Sequence, residues 1–319
     1  MQTNQAAPSA TVNGAVQPVP QRIGTQSDIL GESPVWDDQA RCLYWVDIRQ
    51  PVIRRFDPAS GGVDTWPMPD LVGSIALTDE GRLLVALPQF IGLFDPKSGS
   101  LEVFVRAHRP LPGHRFNDGR CDRQGRFWVG SMHNLTRAPE GVLYRLEGRG
   151  ALQPVRDGIC IPNSIAFSPD GHTMYFADSL KYALDAYDYD PETGSVGAPR
   201  VLAHTEPPAF PDGSAVDAEG YLWNAEFEGW RVVRYAPDGG IDRVISLPVQ
   251  RPTCCAFGGP DLDVLYVTTS SQRMTREELE AQPLAGALLA IEVGVRGLTE
   301  SRFLVDARSP WPVSPLERI

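Results

Sequence analysis

The chain has 319 residues, 42% of them hydrophobic, which is material for a large core, and no apolar stretch reaches the ~20 residues of a membrane-spanning helix. A formal net charge of −11 with no run of Lys or Arg argues against a surface built to neutralise nucleic-acid phosphates. Five cysteines without a Cys-x-x-Cys spacing indicate neither a zinc knuckle nor a disulfide framework, and fit small buried hydrophobes in a reducing, cytoplasmic compartment.

Residues 1–20 are polar, with no basic segment leading into an apolar one. They predict a flexible tail and no signal peptide, so the folded domain is taken as residues 21–319. From there one pattern recurs: a turn with Asp and usually Gly, then a short β-prone run carrying an aromatic residue. It begins at Asp37, Asp79, Asp122, Asp170, Asp217 and Asp261. With Leu43, Leu83, Phe127, Met174, Leu222 and Leu265 as equivalent positions, the spacing is about 40 to 48 residues, the size of a propeller blade. Behind the first anchor, Val52–Asp57 and Val63–Pro67 read as a hairpin. Ile91–Asp95 and Leu101–Val105 follow the second in the same way. Thr275 and Glu278 form a capping box ahead of a short helix inserted in the last unit. The expected fold is all-β, a six-bladed β-propeller and a monomer, its last outer strand supplied by Arg22–Ile29 or by Ser301–Val305. A β-sandwich does not predict six near-equal units.

Equivalent positions of a propeller lie at equivalent places around one axis. Ten or eleven residues before the anchors, where each innermost strand begins, stand Glu32, Gly73/Ser74, Asn117, Asn163, Asp212 and Thr253/Cys254. Asn, Asp and Gly are ordinary turn residues, and any one of the four carboxylates and carboxamides alone is a turn cap. Turn chemistry does not require four of them at one phase. Convergent oxygen donors of this kind suit one divalent cation, with Ca²⁺, Mg²⁺, Mn²⁺, Zn²⁺ and Fe²⁺ all admitted.

At these residues the sequence resembles the SMP-30/gluconolactonase/regucalcin-like family of sugar lactonases. The resemblance runs from about Asp28 to Phe303, through Leu30–Asp37, Arg115–Gly119, Ile161–Gly171, Phe210–Gly213, Cys254–Gly259 and Gln282–Gly286. It implies a six-bladed propeller, a cation held by Glu32, Asn163 and Asp212, and substrate contacts from Arg115 and Asn117. Some animal relatives place acidic residues in the loop after Met132. Here that loop starts His133-Asn134-Leu135, so their substrate choice does not carry over, and bacterial aldonolactonases are more similar. His133 and Asn134 are added as substrate-side candidates.

The activity this implies is metal-dependent hydrolysis of a sugar lactone, such as a glucono-, xylono-, arabinono- or galactonolactone, to its aldonic acid. The cation polarises the lactone carbonyl, Asp212 is the candidate general base, and the partner is a small molecule. Trp223, Phe227 and Trp230 are candidates for a sugar-facing platform or for ordinary blade packing. Of the histidines His108, His114, His133, His172 and His204, none has the spacing of a metal motif. No Gly-x-Ser-x-Gly elbow surrounds Ser33 or Ser164, which argues against a serine hydrolase. Two alternatives stand: a noncatalytic cation-binding propeller, and a hydrolase of non-sugar lactones or phosphotriesters.

Overall fold

A computed structural model describes residues 18–107 and 112–307. The expected tail, apart from its last three residues, and His108 lie outside the described residues. The described chain forms six four-stranded antiparallel sheets. After β1 (Gln21–Ile23), blade 1 is β2 (Gly31–Asp37), β3 (Cys42–Asp47), β4 (Val52–Asp57) and β5 (Gly62–Pro67). Blade 2 is β6 (Ser74–Leu77), β7 (Leu83–Leu87), β8 (Phe90–Asp95) and β9 (Ser100–Arg106). Blade 3 is β10 (His114–Cys121), β11 (Phe127–His133), β12 (Gly141–Leu146) and β13 (Gln153–Ile159). Blade 4 is β14 (Pro162–Phe167), β15 (Thr173–Asp178), β16 (Ala183–Asp190) and β17 (Ser195–His204). Blade 5 is β18 (Phe210–Val216), β19 (Leu222–Phe227), β20 (Arg231–Tyr235) and β21 (Ile241–Ser246). Blade 6 is β22 (Pro252–Gly258), β23 (Val264–Thr269) and β24 (Leu288–Glu292), completed on its outside by β1.

The first strand of each blade touches its counterparts on either side, β2 to β6 and so on round to β22, which returns to β2. This is the expected six-bladed propeller, and the anchor residues all fall on second strands. Ring closure comes from the N-terminal candidate: Gln21–Ile23 pairs antiparallel with Leu288–Ala290. The C-terminal candidate does something else. Residues 294–307 cross the far end of the ring, where Gly297 bridges Asp217, Glu300 pairs with Arg120, Arg302 holds Asp37 and Phe303 bridges Thr78.

Inner strands are buried on both faces, as β3 (CLYWVD, buried throughout) shows, whereas the outermost β5 is largely exposed. Apolar residues accordingly gather in six clusters, one between each pair of neighbouring blades. In four of the six repeats the Asp of the sequence pattern caps the turn that leaves the inner strand. Asp37, Asp122, Asp170 and Asp217 each accept a bond from the backbone N–H two residues on, at 2.9–3.0 Å. In three of these turns a glycine takes the left-handed backbone, Gly125 at φ 78°, Gly171 at φ 73° and Gly220 at φ 86°. Trp45, Trp128 and Trp223 fill the interblade layers, their indole N–H groups donating to Asp28, Asp122 and Asp217. Trp223 is fully buried, so the mouth-platform alternative is wrong for it and blade packing is right.

The helix α1 (Arg276–Ala281) sits between β23 and β24, with the Thr275/Glu278 capping box closed in both directions. No helix among the described residues is long and apolar enough to cross a membrane. The five cysteines are all free thiols.

Candidate active site

The inner strands start at the end of the ring opposite the Asp turns, and five of the six carry one extra residue near that start. Pairing runs Glu32↔Val46 then Val35↔Tyr44, Phe116↔Ser131 then Gly119↔Val129, and Asn163↔Ala177 then Ala166↔Tyr175. The same slip separates Pro211 from Ser214 and Pro252 from Cys254. A bulge frees a residue from the ladder and re-aims its side chain. Ser33 and Ser164, next after Glu32 and Asn163, take left-handed φ values of 50° and 58°. The result is that Glu32, Asn117, Asn163 and Asp212 line one pocket, open to solvent, together with Arg115 and Asn134. Blade 2 contributes no ligand-type side chain at this phase for a steric reason. A Cβ on Gly73 would stand 2.3 Å from the Phe116 carbonyl oxygen, so only glycine lets β10 approach.

One hydrogen-bonded chain fixes the floor. Arg115 Nη1 donates to Asn117 Oδ1 at 2.6 Å and Arg115 Nε to Asn134 Oδ1 at 3.0 Å. Asn117 Nδ2 donates to Asn163 Oδ1 at 2.6 Å and to the Pro162 carbonyl at 2.9 Å. Asn163 Nδ2 donates to Ser179 Oγ at 2.8 Å, which donates to the Pro211 carbonyl at 2.7 Å. The chain crosses from blade 3 to blade 5, stapling blades between which no backbone ladder runs. It also commits both hydrogens of Asn117 to protein acceptors. Asn117 therefore positions Arg115 and Asn163, while Asn163 Oδ1 keeps a second lone pair.

The carboxylates are the strained part of the arrangement. Burial and the neighbouring Asp118 push the Glu32 carboxyl up to about 8. Burial, then Glu32 and Asp118, hold Asp212 well above the ordinary range, and burial raises Asp118 as well. Burial and nearby Arg49 bring Arg115 down to about 10. Asp212 Oδ1 is buried with no hydrogen-bond donor. Among the described residues no three His, Cys, Asp or Glu side chains form a metal cluster. Two carboxylates and a carboxamide do meet here, and the residues fit a hard cation: one acceptor oxygen is orphaned, and every charged neighbour on the floor except Arg115 is negative.

His133 is not part of the pocket lining. Its Nδ1 accepts from the backbone N–H groups of Leu135 and Thr136 at 3.3 and 3.1 Å, and its ring packs edge-on against His114. Leu135 is exposed. Phe227 lines the pocket with Phe210, whereas Trp230 does not. Sequence reasoning gave no role to Asp118, although it follows Asn117 directly; the bulge turns both inward. It also passed over Ser179 and the arginines of the mouth, Arg49, Arg137 and Arg273. These arginines sit in loops, where no periodicity announces them.

A family model described as the SMP-30/gluconolactonase/LRE-like region matches residues 30–271. The chain is 37% identical over 280 residues to the 6-deoxy-6-sulfogluconolactonase of Pseudomonas putida, covering 87% of this chain and 96% of that one. It is 39% identical over 283 residues to the L-arabinolactonase of Azospirillum brasilense, covering 86% and 92%. The crystal structure of a calcium-binding protein, regucalcin, from Agrobacterium tumefaciens superposes with a TM-score of 0.86 at 30% identity, covering 90% of this chain and 97% of that one. The family model covers most of the chain, and these relatives match along nearly their whole length: this protein belongs to the SMP-30/gluconolactonase/LRE-like family.

Proposed function

We propose that the protein hydrolyses a sugar lactone to its aldonic acid, using one divalent cation held by Glu32, Asn163 and Asp212. The observation that carries the reading is the orphaned Asp212 oxygen on the floor of a pocket that also holds Glu32 and Asn163, whose carboxamide is fixed by Asn117 and Ser179. The names of the relatives support the reaction class: sulfogluconolactone and L-arabinolactone are the substrates named for two of them. The calcium-binding relative supports a hard cation.

When bound, the cation supplies Lewis-acid polarisation of the lactone carbonyl. Arg115 spends Nη1 and Nε on Asn117, Asn134 and the Phe116 carbonyl, and its Nη2 is left for the substrate. That donor faces the negative charge that grows on the carbonyl oxygen as water adds. Asp212 takes a proton from the attacking water and returns it to the ring oxygen as the C–O bond opens. Phe210 and Phe227 give the apolar C–H faces of the sugar a surface to lie on. Ser179 holds Asn163 in the one orientation that leaves its carbonyl oxygen available.

The test is acid release at constant pH from a panel of neutral aldonolactones, before and after chelation and on adding back single cations. Turnover that chelation abolishes and one cation restores is the expected result. Turnover untouched by thorough chelation removes the cation from the reaction. Tight cation binding with no turnover of any lactone leaves the noncatalytic propeller as the answer.

A further inference from the structure

The mouth of this pocket carries far more positive charge than a neutral sugar requires. Arg49, Arg137 and Arg273 all line it, above Arg115, in a protein whose formal net charge is −11. Each comes from the same place in its blade, the loop joining second and third strands, in blades 1, 3 and 6. Among the described residues none of the three forms an ion pair; Arg49 and Arg137 are half-buried and Arg273 is exposed, whereas half-buried or buried arginines elsewhere, such as Arg54, Arg126, Arg234, Arg251 and Arg302, are paired. Arg49 Nε donates to Gln272 Oε1 at 2.6 Å, which fixes its direction without neutralising it. The cluster is tight enough for its members to feel one another: after burial, Arg273 and Arg137 are what weaken Arg49's hold on its proton. Gathering like charges at one rim costs free energy in the empty protein, and a bound anion removes that cost. Sugar hydroxyls are served by carboxamides and single donors. Guanidinium forks match the paired oxygens of a carboxylate, sulfonate or phosphate.

We infer that the lactone taken by this pocket carries an acidic group at the end of the sugar remote from the lactone carbonyl, held by Arg49, Arg137 and Arg273. This rests on the lactonase reading and narrows it from sugar lactones in general to anionic ones. The carbonyl meets Asp212 and Arg115 on the floor, and the acid lies at the rim.

The experiment uses matched substrates that differ only at the sixth carbon, corrected for spontaneous hydrolysis. D-glucono-1,4-lactone is compared with D-glucaro-1,4-lactone, and D-glucono-1,5-lactone with its 6-phosphate and with its 6-deoxy-6-sulfonate. The expected kcat/KM is at least about tenfold higher for one charged member than for its neutral partner, with the gap closing as salt rises from low ionic strength. Which acid gains most identifies the group. The Arg137→Gln/Arg273→Gln pair should lower the charged-to-neutral ratio by about tenfold or more, chiefly through KM. A ratio of one or less for all three acids overturns the inference while neutral turnover keeps the lactonase reading. A preference that the double variant does not move also overturns it. No hydrolysis of any lactone brings down both.

Discussion

Asp212 has two demands placed on it, as a cation ligand and as a base. Asp212→Asn keeps an oxygen of similar shape and removes the base, so turnover should drop about 10²–10⁴-fold while the cation still binds, more weakly. Elemental analysis beside lactone turnover separates the two effects, and near-normal turnover with the cation bound would end the base assignment. Asn117 gives the opposite pattern. Asn117→Ala leaves the ligand set intact but strips a partner from the Pro162 carbonyl, from Asn163 and from Arg115. The cation content should persist. Denaturant unfolding should show a loss of about 1–3 kcal/mol, and kcat/KM should fall because Arg115 is no longer aimed. Arg115 and Asn134 occupy neighbouring places in that network, and His133, one residue away, is excluded from it by its own turn.

At the level of the strand, what makes the site is one extra residue repeated in five blades. Glu32, Asn117, Asn163 and Asp212 were legible as a set because repeat phase survives translation from sequence to ring. The bulge was not legible, since nothing in a hydrophobic pattern marks a single slipped pair. That is why Asp118 carried no role in the sequence: simple alternation would turn it away from Asn117's side. The arginines of the mouth were hidden for a different reason, since each lies in a blade loop of different length, outside the repeat. Blade 2 shows how exacting the inner ring is. Gly73→Ala puts a methyl group 2.3 Å from the Phe116 carbonyl, with backbone on the other side of the contact. The strand must move, so stability should drop by about 1–3 kcal/mol and lactone turnover should fall with it, although residue 73 touches no substrate. Equal melting temperatures for wild type and Gly73→Ala would show that the inner strands are looser than their packing indicates.

For the whole molecule, the buried carboxylates set the response to pH and to chelation. In the cation-free protein Glu32, Asp118 and Asp212 all hold protons more tightly than in the unfolded chain. A raised folded value means stability is intact below the ordinary carboxylate range and is lost as pH climbs from there to about 8, where Glu32 gives up its proton. The melting temperature of chelated protein should therefore decline between pH 5 and pH 8, and the increment from added cation should be larger at pH 8. Asp118→Asn, which removes one charge without removing a proposed ligand, should flatten the decline. A flat profile in the chelated wild type would mean the three carboxyls do not share one environment. Truncation asks about the ring itself. Starting the chain at Pro18 leaves every described contact in place, and its melting curve should match the full chain. Starting it at Gly24 removes β1 from the edge of β24 and should lower the melting temperature by several degrees.

The closing strand also gives the protein a timetable. Ile23 pairs with Leu288, roughly 265 residues later in the chain, and a ribosome adding about 5–20 residues per second needs roughly 13–50 s to make that stretch. For all that time the first strand is outside the exit tunnel with no partner. The early blades can collapse on their own interblade layers as they emerge, but the circle cannot lock until β24 has been made. The newborn protein thus passes through an open arc with exposed strand edges, the stage at which it would pair with a second copy. The short polar stretch around β1, with Gln21 and Arg22 facing outward, keeps that waiting edge soluble.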